Sequence, residues 1–152
     1  MTKNEFRYVT IIKADIERVW DALTLPEFTE AYWHNSTVES DWKVGSKITF
    51  TNDDKDGVRS VGVAGKIIEC NRPHRLSYSW SFPRMPEVRD EAPSVVTFEL
   101  ETVGEATRLT VIHDQFEEGS KMLEYISEGW PIVLSNCKTF LETGKTIPHG
   151  LS

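Results

Sequence analysis

The stretch GWPIVLSNCKTFLETGK, Gly129 to Lys145, lies near the end of the chain and has the most influence on the predicted fold. Its apolar residues recur at i, i+3, i+4 and i+7, which is typical of a helix with one buried face. These residues are Trp130, Val133, Leu134, Cys137, Phe140 and Leu141. We expect Gly129 to interrupt a shorter helical segment before it, which puts Pro131 in the first turn of a new helix, where its missing N–H costs nothing. Gly144 is the expected C-cap residue.

The residues between 35 and 114 show the two-residue alternation of antiparallel strands instead. The stretch LSYSWSF shows it most clearly, with apolar side chains on one face at Leu76, Tyr78, Trp80 and Phe82. The serines between them predict a second face in contact with water. SVVTFELETV and ATRLTVIHDQF continue the alternation and place Phe98 and His113 on the inward face. This region therefore predicts about six strands joined by short turns.

The first third of the chain predicts one strand and two short helices. FRYVTII is rich in β-forming residues, DIERVWDALT begins with the N-cap residue Asp15, and PEFTEAYW begins with a proline. The apolar face of a twisted sheet must be covered, and only the C-terminal helix is long enough to cover it. We therefore predict an α+β helix-grip fold over residues 1–152 as one domain. A curved antiparallel sheet of six to seven strands wraps around a long C-terminal helix, with two short helices between the first strands.

Composition excludes several classes of function. The 152 residues carry a formal net charge of −7 without a basic patch, which argues against a nucleic-acid or membrane-surface partner. No apolar run approaches the roughly 20 residues of a membrane span. The first residues lack a signal-peptide pattern, and the two cysteines form no CxxC motif. We expect a cytoplasmic protein with free thiols.

The sequence contains no recognisable catalytic or metal-binding motif. HExxH, GxSxG, GxGxxG and paired CxxC are all missing, and the four histidines are widely dispersed. We therefore predict no metal and no cofactor, and whether the protein is an enzyme stays open. His113 is the only catalytic candidate, because it lies on an inward-facing strand position. It is either a hydrogen-bonded histidine at the edge of the core, or a polar anchor or general base in a cavity.

Aromatic residues make up 11% of the chain, and they either fill the interior or form the walls of an apolar pocket. If a pocket exists, its ligand is a small apolar or aromatic molecule, which Tyr78 and His113 would orient. The candidate ligand-binding residues are Trp33, Phe50, Tyr78, Trp80, Phe98, His113, Trp130 and Phe140. The long loop PRMPEVRDEAP, which contains Arg84 and Glu91, is either solvated or a flexible lid.

Five segments of the chain together resemble a known family. They are ADIERVWDALTLPEFTEAYW, DWKVGSKITF, RPHRLSYSW, TFELETVGEATRLTVIHDQF and EGWPIVLSNCKTFLETG. The first resembles the family's opening helix pair with its closing Trp, and the second resembles its Gly-containing turn into a strand. The third resembles a strand that follows a Pro-containing turn, and the fourth resembles paired strands that end in His and an aromatic residue. The fifth resembles the Gly-Trp start of the last helix. Across residues 6–145 they resemble the START-like, or SRPBCC, superfamily, and within it the AHSA1-like branch related to activators of the ninety-kilodalton heat-shock protein's ATPase.

The resemblance implies the helix-grip fold and leaves several functions possible. The superfamily includes lipid carriers, hormone receptors, polyketide cyclases and chaperone activators, and one fold can serve many functions. Three hypotheses follow for this chain. The first is non-catalytic binding of a small hydrophobic ligand between the sheet and the C-terminal helix. The second is a co-chaperone-like protein with a chaperone or other protein partner, and the third is a cyclase- or hydrolase-type enzyme that uses His113.

Overall fold

A seven-stranded antiparallel sheet forms the framework of the molecule, which a computed structural model describes over residues 4–147. The strands are β1 (Phe6–Ile12), β2 (Thr37–Ser40), β3 (Lys47–Asp53), β4 (Arg59–Asn71), β5 (Arg75–Trp80), β6 (Ser94–Val103) and β7 (Ala106–Asp114). The helices are α1 (Ile16–Thr24), α2 (Pro26–Tyr32) and α3 (Met122–Thr143). The strand order is β1-β7-β6-β5-β4-β3-β2. The predicted α+β helix-grip fold is therefore confirmed.

The register of the central strands gathers large side chains on the face that α3 covers. Tyr78 on β5 lies opposite Val96 on β6, which in turn lies opposite His113 on β7. In β7, every second residue from Thr107 to His113 is buried, as the period of a strand with one covered face requires. This alternation prevents register slippage, because a shift by one residue would expose the whole buried set.

The C-terminal helix α3 is one continuous helix of 22 residues. The prediction that Gly129 separates two helices, and that a new helix begins at Trp130, is wrong. Met122 and Ile126 are buried and extend the apolar stripe of Trp130 by two turns toward the N-terminus. Burial of this longer stripe outweighs the weak helix propensity of Gly129 and the missing N–H of Pro131. The helix ends at Gly144, whose φ of 77° confirms the predicted C-cap. No helix among residues 4–147 is long and apolar enough to cross a bilayer.

The loop between β5 and β6 is anchored rather than freely solvated. The carboxylate of Glu91 accepts hydrogen bonds from the Ser120 hydroxyl at 2.5 Å and from the Lys121 amide at 2.9 Å. It therefore caps the N-terminus of α3, where the N-cap residue Lys121 makes no capping bond with its own side chain. In the same loop, Val88 is 1% exposed and belongs to the core. These contacts fix the loop against α3.

A β-bulge interrupts the pairing of β3 with β4. Phe50 lies opposite Val63, but Thr51 lies opposite Val61, which leaves Gly62 without a partner residue. Bulges bend a strand locally and are common next to functional sites. Gly62 therefore marks the part of the sheet where the covered face departs from regular packing.

The outer face of β5 is less exposed than the serine pattern predicts. Ser77 is 4% exposed, and its hydroxyl lies 3.0 Å from the hydroxyl of Thr97 on β6. Ser79 accepts a hydrogen bond from the Lys66 amide at 2.9 Å. These hydroxyls bond to neighbouring strands, so the predicted wet face is only partly correct.

Candidate ligand-binding site

A cavity of about 210 Å³ lies between strands β3–β5 and the N-terminal half of α3. Residues after α2 and residues of the β5–β6 loop complete its lining. Its large apolar aromatic side chains are Trp33, Trp80, Phe82 and Trp130. Its polar side chains include Ser36, Asn52, Arg84 and Tyr125. An apolar wall with a few convergent polar groups is the usual composition of a small-molecule site.

Three tryptophans form the main wall of the cavity. The ring centroids of Trp33 and Trp80 are 6.2 Å apart, and Trp130 lies 5.3 Å from Trp33 and 5.2 Å from Trp80. All three are at most 6% exposed, so they hold one another in place. Nε1 of Trp80 is buried and has no hydrogen-bond acceptor among the described residues. The wall therefore contains a donor that the described part of the chain does not satisfy.

Two glycines belong to the lining of the cavity. Gly62 lies in the bulge of β4, and Gly129 lies on the face of α3 that lines the cavity. A Cβ atom added at Gly129 would meet no atom within 4 Å. A larger side chain at Gly129 would therefore project into the cavity. The volume of the cavity depends on this glycine as well as on the aromatic residues of the lining.

Arg84 reaches over the bulge and is held there by residues of β3 and β4. Its Nη1 donates to the carbonyl of Asn52 at 3.1 Å and to the hydroxyl of Ser60 at 2.8 Å. Its Nη2 donates to Oδ1 of Asn52 at 2.6 Å. A Cβ atom at Gly62 would lie 2.8 Å from Oδ1 of Asn52 and 3.2 Å from Nη2 of Arg84. The glycine therefore allows the guanidinium to approach the sheet closely.

His113 lies at the other side of the tryptophan wall, in a fully buried hydrogen-bonded chain with Ser94 and Trp130. We call these three residues the His113 cluster. Nε1 of Trp130 donates to Nδ1 of His113 at 3.0 Å. Indole nitrogen is only a donor, so Nδ1 must be the unprotonated nitrogen and Nε2 carries the hydrogen. Nε2 then donates to the hydroxyl of Ser94 at 2.8 Å.

The environment of His113 favours the neutral imidazole. Burial lowers the pKa of His113 from its ordinary 6.5 to about 3. Nδ1 already accepts from Trp130 and Nε2 holds its proton, so neither nitrogen has a lone pair free to remove a proton from a substrate. The structure therefore gives no support to the hypothesis of His113 as a general base.

The eight candidate ligand-binding residues occupy three different places. Trp33, Trp80 and Trp130 line the cavity. Four other buried candidates pack behind these tryptophans and lie outside the lining: Phe50, Tyr78, Phe98 and His113. Phe140 is half-buried and packs against Phe28 and Tyr32, with ring centroids 6.2 and 6.5 Å apart. Arg84, Gly62 and Gly129 belong to the lining and were not among the candidates.

The cavity lining differs in charge from the chain as a whole. Although the protein carries a net charge of −7, residues 4–147 contribute no aspartate or glutamate to the lining. Arg84 is the only lysine or arginine that this part of the chain contributes to it. Two acidic groups outside the lining interact with its residues. Glu87 accepts a hydrogen bond from the hydroxyl of Tyr125 at 3.2 Å. The pKa of Asp54 is lowered first by its hydrogen bond from the Val58 amide, and the charge of Arg84 also contributes. The site therefore combines an aromatic wall with one fixed positive charge.

Other reactive residue types do not form a second site. Among residues 4–147, no group of three or more His, Cys, Asp or Glu residues is placed to hold a metal ion. Cys137 is fully buried on α3, and burial raises the pKa of its thiol to about 12. It is therefore an inert core residue, as its position on the apolar stripe predicts.

Comparison with known proteins identifies the fold and the family. No curated protein matches the sequence. Among solved structures, ChR145 from Cytophaga hutchinsonii is 30% identical with a TM-score of 0.73, and the alignment covers 95% of this chain and 98% of that protein. PFC0360w, an HSP90 activator from Plasmodium falciparum, is 23% identical with a TM-score of 0.72, covering 90% and 95% of the two chains. CalU16 from Micromonospora echinospora is 22% identical with a TM-score of 0.73, covering 95% and 77%.

The family comparison agrees with the resemblance that the sequence motifs show. The model of the AHSA1 family, described as activator of Hsp90 ATPase homolog 1-like protein, matches residues 13–142. This range extends from the end of β1 almost to the end of α3. The chain therefore belongs to the AHSA1 family and has the START-like, or SRPBCC, fold.

Proposed function

We propose that the protein binds a small, mostly apolar molecule in the cavity between the sheet and α3. The observation that carries this proposal is the cavity of about 210 Å³ with its wall of Trp33, Trp80 and Trp130. Membership of the family and the fold support ligand binding or a co-chaperone-like role, and the cavity favours the first.

The size of the cavity indicates the size of the ligand. A cavity of about 150 Å³ in another protein is large enough for benzene. A space of about 210 Å³ therefore suits a molecule with one or two fused rings. Each 100 Å² of apolar ligand surface that leaves water contributes about 2.5 kcal/mol before the entropic costs of binding. Because the wall is already packed, binding requires little rearrangement.

A direct test uses 1-naphthalenemethanol as a neutral two-ring probe and isothermal titration calorimetry as the measurement. We expect the wild type to bind the probe and Gly129→Leu to bind it at least about ten-fold more weakly, because side-chain atoms forced into filled space cost about 1–3 kcal/mol. Glu128→Leu is the matched control, since it adds the same side chain at an exposed position outside the lining.

The possible results distinguish a wrong binding site from a wrong function. If the wild type does not bind 1-naphthalenemethanol or any member of a series of one- and two-ring probes, the proposal is refuted. If the wild type and Gly129→Leu bind equally well, ligand binding occurs elsewhere. A loss of affinity in Gly129→Leu but not in Glu128→Leu supports this cavity as the site.

A second candidate function is interaction with the ninety-kilodalton heat-shock protein. The family description favours it. The test measures the ATPase rate of that chaperone with increasing amounts of this protein. A saturable increase in the rate would support the co-chaperone-like role, and an unchanged rate at saturating protein would remove it.

A further inference from the structure

We propose that the ligand carries one carboxylate group and that Arg84 binds this group at the edge of the cavity. The inference rests on the proposed function and deepens it, because it names the chemical class of the ligand as an aromatic monocarboxylate. The aromatic part occupies the space against Trp33, Trp80 and Trp130, while the carboxylate meets the guanidinium.

The charge of the lining is the first reason. The chain carries a net charge of −7, yet its described residues place one arginine and no carboxylate in this lining. Arg84 forms no ion pair within 4.0 Å with a described carboxylate, in contrast to Arg72 and Arg75, each of which pairs with two glutamate or aspartate residues. Its positive charge therefore has no carboxylate partner at ion-pair distance in residues 4–147. Asp54 interacts with it only at longer range, and that carboxylate also accepts hydrogen bonds from the amides of Val58 and Asp56.

The unused donors of Arg84 are the second reason. Nη1 and one hydrogen of Nη2 bond to Asn52 and Ser60. Nε and the other hydrogen of Nη2 have no acceptor among the described residues. Nε and Nη2 lie on one edge of the guanidinium plane, and two parallel N–H groups match the two oxygens of a carboxylate. The geometry thus leaves a bidentate site for one planar anion.

The third reason is that the guanidinium of Arg84 is already held in place. The bonds to Asn52 and Ser60 fix the guanidinium over Gly62, so few rotamers are lost when a ligand binds. Such a preorganised arginine contributes more to affinity than a mobile one. A single cation favours a monoanion, since a phosphate dianion would bring a second charge that no other lysine or arginine among the described lining residues balances.

The experiment compares two probes of nearly equal shape, 1-naphthoate and 1-naphthalenemethanol, by isothermal titration calorimetry at pH 7.5. For the wild type we expect 1-naphthoate to bind about ten-fold or more tightly than the alcohol, as charge-assisted hydrogen bonds predict. Arg84→Met should reduce the affinity for 1-naphthoate to that of the alcohol and leave the affinity for the alcohol unchanged. Arg84→Lys should give an intermediate affinity, because the charge remains but the bidentate geometry is lost.

The control is Arg108→Met, which removes a similarly exposed arginine that pairs with Glu101 on the sheet, far from the lining. It should bind both probes like the wild type. Circular dichroism checks that each variant is folded. If Arg84→Met does not fold, Arg84→Lys and the comparison of the two probes on the wild type still test the inference.

Two results would overturn the inference while the proposed function survives. One is equal affinity of the wild type for the two probes, and the other is an undiminished preference for 1-naphthoate in both Arg84 variants. If the wild type binds neither of these probes nor any other member of the series of one- and two-ring probes, the proposed function fails and this inference fails with it.

Discussion

Two regions of the core lie on opposite sides of the Trp80–Trp130 contact and differ in how completely they are packed. On one side, the His113 cluster joins Ser94, His113 and Trp130 by hydrogen bonds of 2.8 and 3.0 Å. On the other side is the cavity, where Arg84 and Trp80 have donors that no described residue accepts. The same aromatic wall thus separates a closed polar network from an open space.

The comparison shows that aromatic content alone does not tell whether a core is filled. Both regions contact Trp130, but in the His113 cluster the Trp130 N–H and the His113 Nε2–H each have an acceptor. The cavity side has Gly129, where a Cβ atom would meet no atom within 4 Å and a larger side chain would enter the space. We therefore assign a structural role to the first region and a binding role to the second.

The largest expected effect is on the His113 cluster. His113→Leu should lower the free energy of unfolding by about 2–4 kcal/mol, because it leaves the buried Trp130 N–H and Ser94 hydroxyl without partners. Urea unfolding followed by tryptophan fluorescence measures the change. His74→Leu is the control, since His74 is exposed on the surface. A loss below about 0.5 kcal/mol for His113→Leu, the range of ordinary surface changes, would contradict a structural role.

Acid should weaken the same region through the protonation of His113. Its pKa is about 3 in the folded state, while the ordinary value of 6.5 applies after unfolding. The unfolded state therefore binds the proton first, so the contribution of His113 to stability is complete above pH 6.5 and is lost as the pH falls toward 3. The loss is at most about 1.4 kcal/mol per pH unit.

The pH prediction is measured by urea unfolding of the wild type and His113→Leu at several values between pH 7.5 and pH 4.5. Carboxylates titrate in both proteins, so the difference between the two curves reports His113 alone. We expect the difference to shrink as the pH falls. A difference that stays constant over this range would mean that His113 keeps an ordinary pKa.

The smallest expected change in the free energy of unfolding comes from a substitution at the cavity. Gly129→Ala should raise the free energy of unfolding by about 0.5–1 kcal/mol, because alanine has the higher helix propensity and its Cβ meets no atom within 4 Å. Thermal or urea unfolding detects this gain. Gly62→Ala is the contrasting variant and should destabilise the protein, since its Cβ would lie 2.8 Å from Asn52. If Gly129→Ala also destabilises, the space beside α3 is not free.

Much of the fold was predictable because it follows from local sequence patterns. The alternation in LSYSWSF and ATRLTVIHD predicts strands with one covered face, and the structure confirms them as β5 and β7. Asp15 caps α1 as predicted, with its carboxylate 2.9 Å from the Arg18 amide. The boundary of α3 was missed because glycine and proline signal a break locally. Burial of Met122 and Ile126, a tertiary effect, outweighs that signal.

The candidate site was predicted only in part, for a physical reason. Its three tryptophans could be identified, because large apolar residues on a covered face are buried regardless of the details of packing. The contact of Arg84 with Asn52, 32 residues apart in sequence, depends on how a loop folds back over a bulge. No local pattern encodes such a contact.

The sequence by itself determined the order of the elements, the sheet, the covering helix and the family. Hydrophobic period, turns and caps act over a few residues, so they can be read along the chain. Only the tertiary structure decided that His113 is sealed in a hydrogen-bonded cluster while the space beside Gly129 stays open. Whether a core position is filled depends on the volumes of side chains that meet from distant segments, and those meetings exist only in the folded chain.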